Sequence, residues 1–217
     1  MNRRAMRNNA SHRRIFARAI ALPFALLLAA CGSSANGPAQ PDLSTAPLAG
    51  ARIGADFALT GSDGKIVRWT DFKGKWRVVY FGYTFCPDAC PMDMTVLSQG
   101  LQKYAEKNPA LAAKIQPIFI TIDPERDDKA RVGEFGAAFK PAVIGLTGSR
   151  ADIDAAAKAF AVYHAKGEEV PGGYLMDHSR GANLFDPDGK PIAVLPIDKG
   201  LKEGPAWVAA ELQQWVR

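Results

Sequence analysis

Two cysteines, Cys86 and Cys90, lie in the stretch "YTFCPDACP", separated by three residues. Four positions make about one helical turn, so a helix through this stretch would bring both thiols to one face. Two thiolates on one face suit a soft ion, and Cu(I) and Zn(II) are the biological candidates. The same pair can instead oxidise to a disulfide. A disulfide closing so short a loop restrains little chain and stabilises weakly, so a chemical role is the better reading than a structural staple. Pro87 and Pro91 stiffen the loop and tolerate a first helical turn. A helix start also supplies free N–H groups and partial positive charge, which favour thiolate over thiol.

A retained metal wants a third donor. Beyond the first thirty residues two histidines remain, His164 and His178. His178, in "GYLMDHSRGANLFDPDG", precedes a strong turn signal, and a loop there can reach the same end of a sheet as the cysteines. His164, in "FAVYHAKG", reads as the end of an Ala-rich helix and therefore as surface. Asp177 is placed to orient the His178 ring or to serve a turn. Asp88, between the cysteines, is placed to tune their charge or to cap the helix. Met92, Met94 and Met176 are soft donors in principle, but methionine at such positions reads first as core.

The elements that must position these groups follow from pattern. Residues 57–60 and 65–68 flank "GSDG" as a hairpin. Residues 77–83 and 114–122 are β-branched and aromatic runs, expected as buried strands, with a short strand at 143–146. Helical spacing covers 90–107, 127–139 and 203–217, and Ser149 with Asp152 forms a capping box opening a helix over 149–163. Residues 181–185 and 191–195 flank "DPDG" as a second hairpin. The sum predicts an α/β, thioredoxin-like fold: a central mixed β-sheet flanked by helices, with an N-terminal β-hairpin extension. The cysteines then follow a core strand at its carboxyl end, where open α/β sheets place their sites.

The start of the chain reads as an address. Residues 1–30 join a head of six arginines without an acid to a twelve-residue apolar run, the pattern of an export signal. The run is short of the roughly 20 apolar residues a spanning helix needs. "LAACG" resembles a bacterial lipobox, which implies cleavage before Cys31 and lipidation of Cys31. "RRIFAR" resembles a twin-arginine signal as well. Residues 31–50, rich in Ser, Ala, Gly and Pro, read as a flexible tether, and 51–217 as one domain. An exported, lipid-anchored domain facing the periplasm or the cell exterior is expected. The formal charge of +5 falls to −1 once the six arginines are removed, so the basic balance argues for no nucleic-acid partner.

"YTFCPDACP", "ITIDPERD", "GLTGSR", "DHS" and "DPDG" together, in this order and spacing, resemble the Sco/SenC family of copper proteins over nearly all of the chain from residue 51. The resemblance implies one copper ion held by Cys86, Cys90 and His178. Asp123 in "TIDPERD" matches the family and is expected near the site, though not as a ligand. The implied role is delivery of copper to, or thiol maintenance at, the binuclear copper site of cytochrome c oxidase. Its copper-site subunit would be the partner, alongside other periplasmic copper carriers or thiol reductants. The competing expectation is a thiol–disulfide oxidoreductase in which Cys86 attacks and Cys90 resolves. A thiol peroxidase is disfavoured, because "FGYTFC" lacks the proline that such a cysteine context calls for.

Overall fold

The computed structural model describes residues 41–217. The expected export signal, Cys31 and most of the tether lie outside those residues. The last part of the expected tether is tied to the body: a 3-10 turn at Leu43–Thr45 is capped by Asp42, Ala46 is buried, and the Leu48 N–H donates to the Ile192 carbonyl at 3.0 Å.

Nine strands and five helices follow among the described residues: β1 (Ala58–Gly61), β2 (Ile66–Arg68), β3 (Trp76–Gly82), α1 (Ala89–Lys107), α2 (Pro109–Ala112), β4 (Ile115–Thr121), α3 (Lys129–Ala137), β5 (Ile144–Thr147), α4 (Arg150–Ala159), β6 (His164–Val170), β7 (Gly173–His178), β8 (Ala182–Phe185), β9 (Pro191–Leu195) and α5 (Gly200–Trp215). Seven strands form one mixed sheet in the order β2-β1-β5-β4-β3-β8-β9. The inner pairs β3–β4 and β4–β5 are parallel, and the flanking pairs are antiparallel. The N-terminal hairpin β1–β2 is joined to the sheet edge through β5.

Every residue of β3 is buried, as expected of a central strand covered on both faces. Tyr80 and Phe119 stack on one face, beneath α1 and α3, where Phe119 also meets Phe135 at 4.6 Å. Phe81 points the other way, towards Phe160 at the end of α4, in an aromatic cluster with Phe57, Trp69 and Phe185. Helix α5 packs along α1. A side chain at Gly100 of α1 would meet Val208 of α5 at 2.4 Å, so glycine permits that approach. No helix of the described residues is long and apolar enough to cross a membrane.

The two-stranded sheet β6–β7 differs from the sequence expectation. The Ser149–Asp152 capping box opens α4 as expected. The helix then stops at Ala159, not at 163, because Phe160 leaves helical geometry and Ala161 takes a positive φ of 54°. The chain turns into β6, so His164 begins a strand and does not end a helix. A tight turn at Gly172 (φ 90°) returns it as β7, which ends in His178.

Candidate metal centre

Strand β3 delivers the chain to a loop over residues 83–88, and α1 begins at Ala89. Cys86 therefore precedes the helix, and only Cys90 lies in its first turn. A helix running through the whole stretch, which would put both thiols on one face, is not formed: Pro87 and Asp88 remain outside α1. The two sulfurs are nonetheless brought together by the helix terminus. The Cys90 N–H donates to the Cys86 sulfur at 3.3 Å, satisfying a donor that has no partner within the helix. Both cysteines are free thiols, Cys90 fully buried and Cys86 partly so.

The pair is electrostatically unequal. Cys86 is lowered to about 5, first by the hydrogen bond from the Cys90 thiol, then by the backbone N–H groups of Cys90 and Asp88 and by the Tyr83 hydroxyl, against the opposing effect of burial. Cys90 is pushed up, first by its bond to Cys86 and then by burial. Burial also raises Tyr83 to about 12, so its hydroxyl stays a donor beside Cys86. Asp88 contributes through its backbone; its side chain makes no cap bond, so the capping role expected for it is not filled.

His178 arrives through the sheet. Ala182 of β8 pairs with Tyr80 of β3 in antiparallel register. The residues just before β8 therefore lie beyond the carboxyl end of β3, where the cysteine loop starts. There the His178 Nε2 stands 3.5 Å from the Cys90 sulfur. Its Nδ1 lies 2.9 Å from the Ser179 carbonyl oxygen. An Nδ1–H donating to that carbonyl leaves the Nε2 lone pair facing the sulfur. The rings of Tyr80 and Tyr83 meet the imidazole edge-on, at 6.3 and 6.1 Å, and hold its plane. Burial lowers the His178 pKa and favours the neutral ring that a metal requires.

Cys86 and His178 line an open cleft of about 310 Å³ together with Tyr83, Pro87 and Met176, and Cys90, fully buried, makes one contact to each of the two. Among the described residues, no group of three or more His, Cys, Asp or Glu side chains is placed to hold a metal ion. The donor set fits a soft ion by its chemistry, and the third donor is adjacent rather than in place. A larger cleft, about 510 Å³, lies beside His164, Asp154, Glu125 and Arg150, and holds no cysteine.

The other expected residues separate clearly. His164 is opposite His178 in the β6–β7 register, and its Nε2 stands 3.4 Å from the carboxylate of Asp154 in α4. Its side chain is largely buried, contrary to the surface position expected. Asp177 does not orient His178. Neighbouring strand residues face opposite ways, and the Asp177 carboxylate is exposed over Gly167 while the Ser179 carbonyl engages the ring. Met94 and Met176 are buried core. Asp123 is fully buried after β4, and its role is indirect. It accepts from the Tyr174 hydroxyl at 2.8 Å and from Arg126 Nε at 2.5 Å, and Arg126 stacks on Tyr174 at 3.6 Å. Asp123 therefore anchors β7, the strand that carries His178.

Three further residues went unrecognised in the sequence. Asp127 is buried and accepts from the Thr84 N–H and hydroxyl and from the Thr121 hydroxyl, fixing the loop two residues ahead of Cys86. Asp93 and Arg180 form an ion pair between α1 and the segment after His178. The available signal was an acid three residues past Cys90 and a base two residues past His178.

Comparison with known proteins agrees with the motifs. The SCO1/SenC family model matches residues 45–217. The Arabidopsis thaliana protein named "Protein SCO1 homolog 1, mitochondrial" is 41% identical over 143 residues, 65% of this chain and 42% of that one. The chain spans about half the length of the curated relatives it matches. Among solved structures, Arabidopsis thaliana ScoI with copper bound superposes with a TM-score of 0.67 at 36% identity, covering 75% of this chain and 99% of the other. Bradyrhizobium japonicum ScoI with copper bound gives 0.65 at 35%, covering 76% and 99%. The mixed sheet with flanking helices is thioredoxin-like, as the motifs predicted, and the chain belongs to the SCO1/SenC family.

Proposed function

We propose that this protein is a copper carrier acting in the assembly of cytochrome c oxidase, with one copper ion per domain as its cargo. The observation that carries the reading is the placing of Cys90 between the two other donors: its N–H donates to the Cys86 sulfur, and its own sulfur faces the Nε2 of His178 at 3.5 Å. Two thiolates suit Cu(I), and the imidazole adds the nitrogen donor that Cu(II) wants. Two of the relatives most similar in structure were solved with copper bound. The cleft is open and the donor set small, which suits handing the ion on by exchange of ligands. The receiving partner is the copper-site subunit of the oxidase, and a lipid on Cys31 holds the domain at a bacterial membrane, on its exported side.

The test is a transfer experiment. Reduced protein loaded with Cu(I) is mixed with the apo copper-binding domain of the oxidase subunit, and copper is followed after separation. The reading expects one ion retained per chain and its passage to the acceptor. A chain that retains no copper overturns it. Replacing Cys31 with Ser is expected to release the exported protein from the membrane, and persistent attachment would count against the lipid.

A second reading is favoured by the inequality of the two thiols. As a thiol–disulfide oxidoreductase, the Cys86 thiolate attacks a disulfide of the target and releases one target thiolate. The Cys90 thiol then loses its proton, attacks the mixed disulfide at Cys86, and releases the second. Two electrons pass to the target and Cys86–Cys90 becomes the disulfide. This chemistry does not need His178, so His178→Ala separates the readings: reductase activity persists, whereas a copper carrier is impaired.

A further inference from the structure

The Asp93–Arg180 pair lies next to the site, though neither residue is a donor in it. Asp93 is 1% exposed and sits on α1 three residues past Cys90, on the same helical face. Arg180 follows His178 by two residues. Its Nε donates to Asp93 Oδ2 at 2.9 Å and its Nη2 donates to Oδ1 at 2.5 Å. The Tyr80 hydroxyl donates to the same carboxylate at 3.0 Å, and the Tyr80 ring forms one wall against His178. Three segments are therefore joined at one carboxylate: the helix bearing Cys90, the central strand, and the segment bearing His178.

A bidentate arginine–carboxylate pair fixes direction as well as distance. The contact spans the gap that the Cys90 sulfur and His178 Nε2 span at 3.5 Å. The Ser179 carbonyl and the Tyr80 and Tyr83 rings touch the imidazole itself, and the Asp93–Arg180 ion pair ties the segment that carries it to the helix bearing Cys90. The hairpin carrying His178 is a separate two-stranded sheet, and its tie at Tyr174 lies four residues back along β7.

We propose that Asp93 and Arg180 form a latch that positions the His178 imidazole against Cys90, and that it supports binding of Cu(II) far more than of Cu(I). This rests on the copper-carrier reading. Cu(I) is satisfied by the two thiolates, both on the α1 side of the latch. Cu(II) draws on the imidazole, so it depends on the contact that holds the two sides in register.

The test uses the full-length protein and compares Arg180→Gln, Arg180→Lys, Asp93→Asn and the Asp93→Asn/Arg180→Gln double variant with wild type. Cu(II) affinity is measured by chelator competition, the Cu(II) thiolate absorbance and nitrogen hyperfine coupling by optical and EPR spectroscopy, and Cu(I) affinity by a Cu(I)-specific chelator. Arg180→Gln is expected to weaken Cu(II) about 10-fold, the lower end for groups that orient a ligand, and to alter the nitrogen coupling. Arg180→Lys should recover part of both, the double variant should be no worse than the poorer single one, and Cu(I) affinity should stay within about twofold of wild type.

Arg180 is about half exposed, so its variants test the latch even if Asp93→Asn fails to fold. Unchanged Cu(II) affinity and EPR spectrum in Arg180→Gln overturns the latch. Equal losses of Cu(I) and Cu(II) overturn its selectivity. A His178→Ala control indistinguishable from wild type overturns the three-donor site itself, a distinct failure.

Discussion

The cysteine loop and the β6–β7 hairpin meet at one site but are built in different ways. The loop grows from β3, whose residues are all buried, and runs into α1, a helix backed by α5. Its donors are four residues apart, and a backbone N–H of the helix terminus bonds one of the sulfurs. The hairpin stands apart from the main sheet, with most of its residues half-exposed or exposed. Its donor is placed by side chains reaching across to the body: Tyr174 to Asp123, Arg126 over Tyr174, and Arg180 to Asp93. The difference divides the site into a preorganised half that offers two sulfurs and an adjustable half that offers one nitrogen. A carrier gains from that division, because a donor on a less strongly held element can let go of its ion.

The largest effect should come from breaking the preorganised half. Cys90→Ser is expected to reduce affinity for both Cu(I) and Cu(II), by more than the roughly 100-fold that orienting groups alone can cost. Chelator competition checks this, and a loss confined to one oxidation state would contradict the division.

A smaller effect is expected from loosening the other half. Asp123→Asn weakens the anchors to Arg126 and Tyr174, and the disturbed buried group should lower stability by about 1–3 kcal/mol. Cu(II) affinity should fall by no more than about 10-fold and Cu(I) affinity hardly at all. Hydrogen exchange should quicken in β6 and β7 while β3 and β4 keep their protection. Uniform loosening of both sheets would show that the hairpin is not a separate unit.

The gentlest perturbation is a change of pH. Because Cys86 is lowered to about 5, its thiolate predominates above that pH and is lost as acid is added through it. Alkylation of the reduced apoprotein should stay near its plateau from pH 8 to pH 6 and be half-lost near pH 5. It should fall on Cys86, while Cys90, buried and shifted the other way, stays unmodified. A midpoint near the ordinary thiol value would remove the asymmetry on which the reductase reading depends.

The same comparison explains what the sequence revealed. The core strands, the capping box of α4, the "DPDG" hairpin and the cysteine pair were legible because each is a local pattern: an apolar run, a cap, a turn or a spacing. Residues 164–178 were not legible as strands. "HAKGEEV" carries no apolar alternation, because β6 buries none of its residues fully, and only "PGG" ahead of "YLM" marked a turn. His178 was singled out as a candidate donor by chemistry and by elimination, and His164 was misplaced with the helix end. The carboxylates were misjudged for a related reason. Adjacency in sequence pointed to Asp177 and Asp88, whereas Asp93 and Asp127, which hold the site together alongside the family-matched Asp123, act on residues up to 87 positions away.

Cu(II) binding by His178→Ala and wild-type protein, measured side by side with their EPR spectra, tests the joining of the two halves most directly. Wild type is expected to bind one ion with sulfur and nitrogen coupling. The variant should lose the nitrogen signature and most Cu(II) affinity yet still take up Cu(I) through its two thiolates. A variant that binds Cu(II) with wild-type affinity and spectrum would contradict the account.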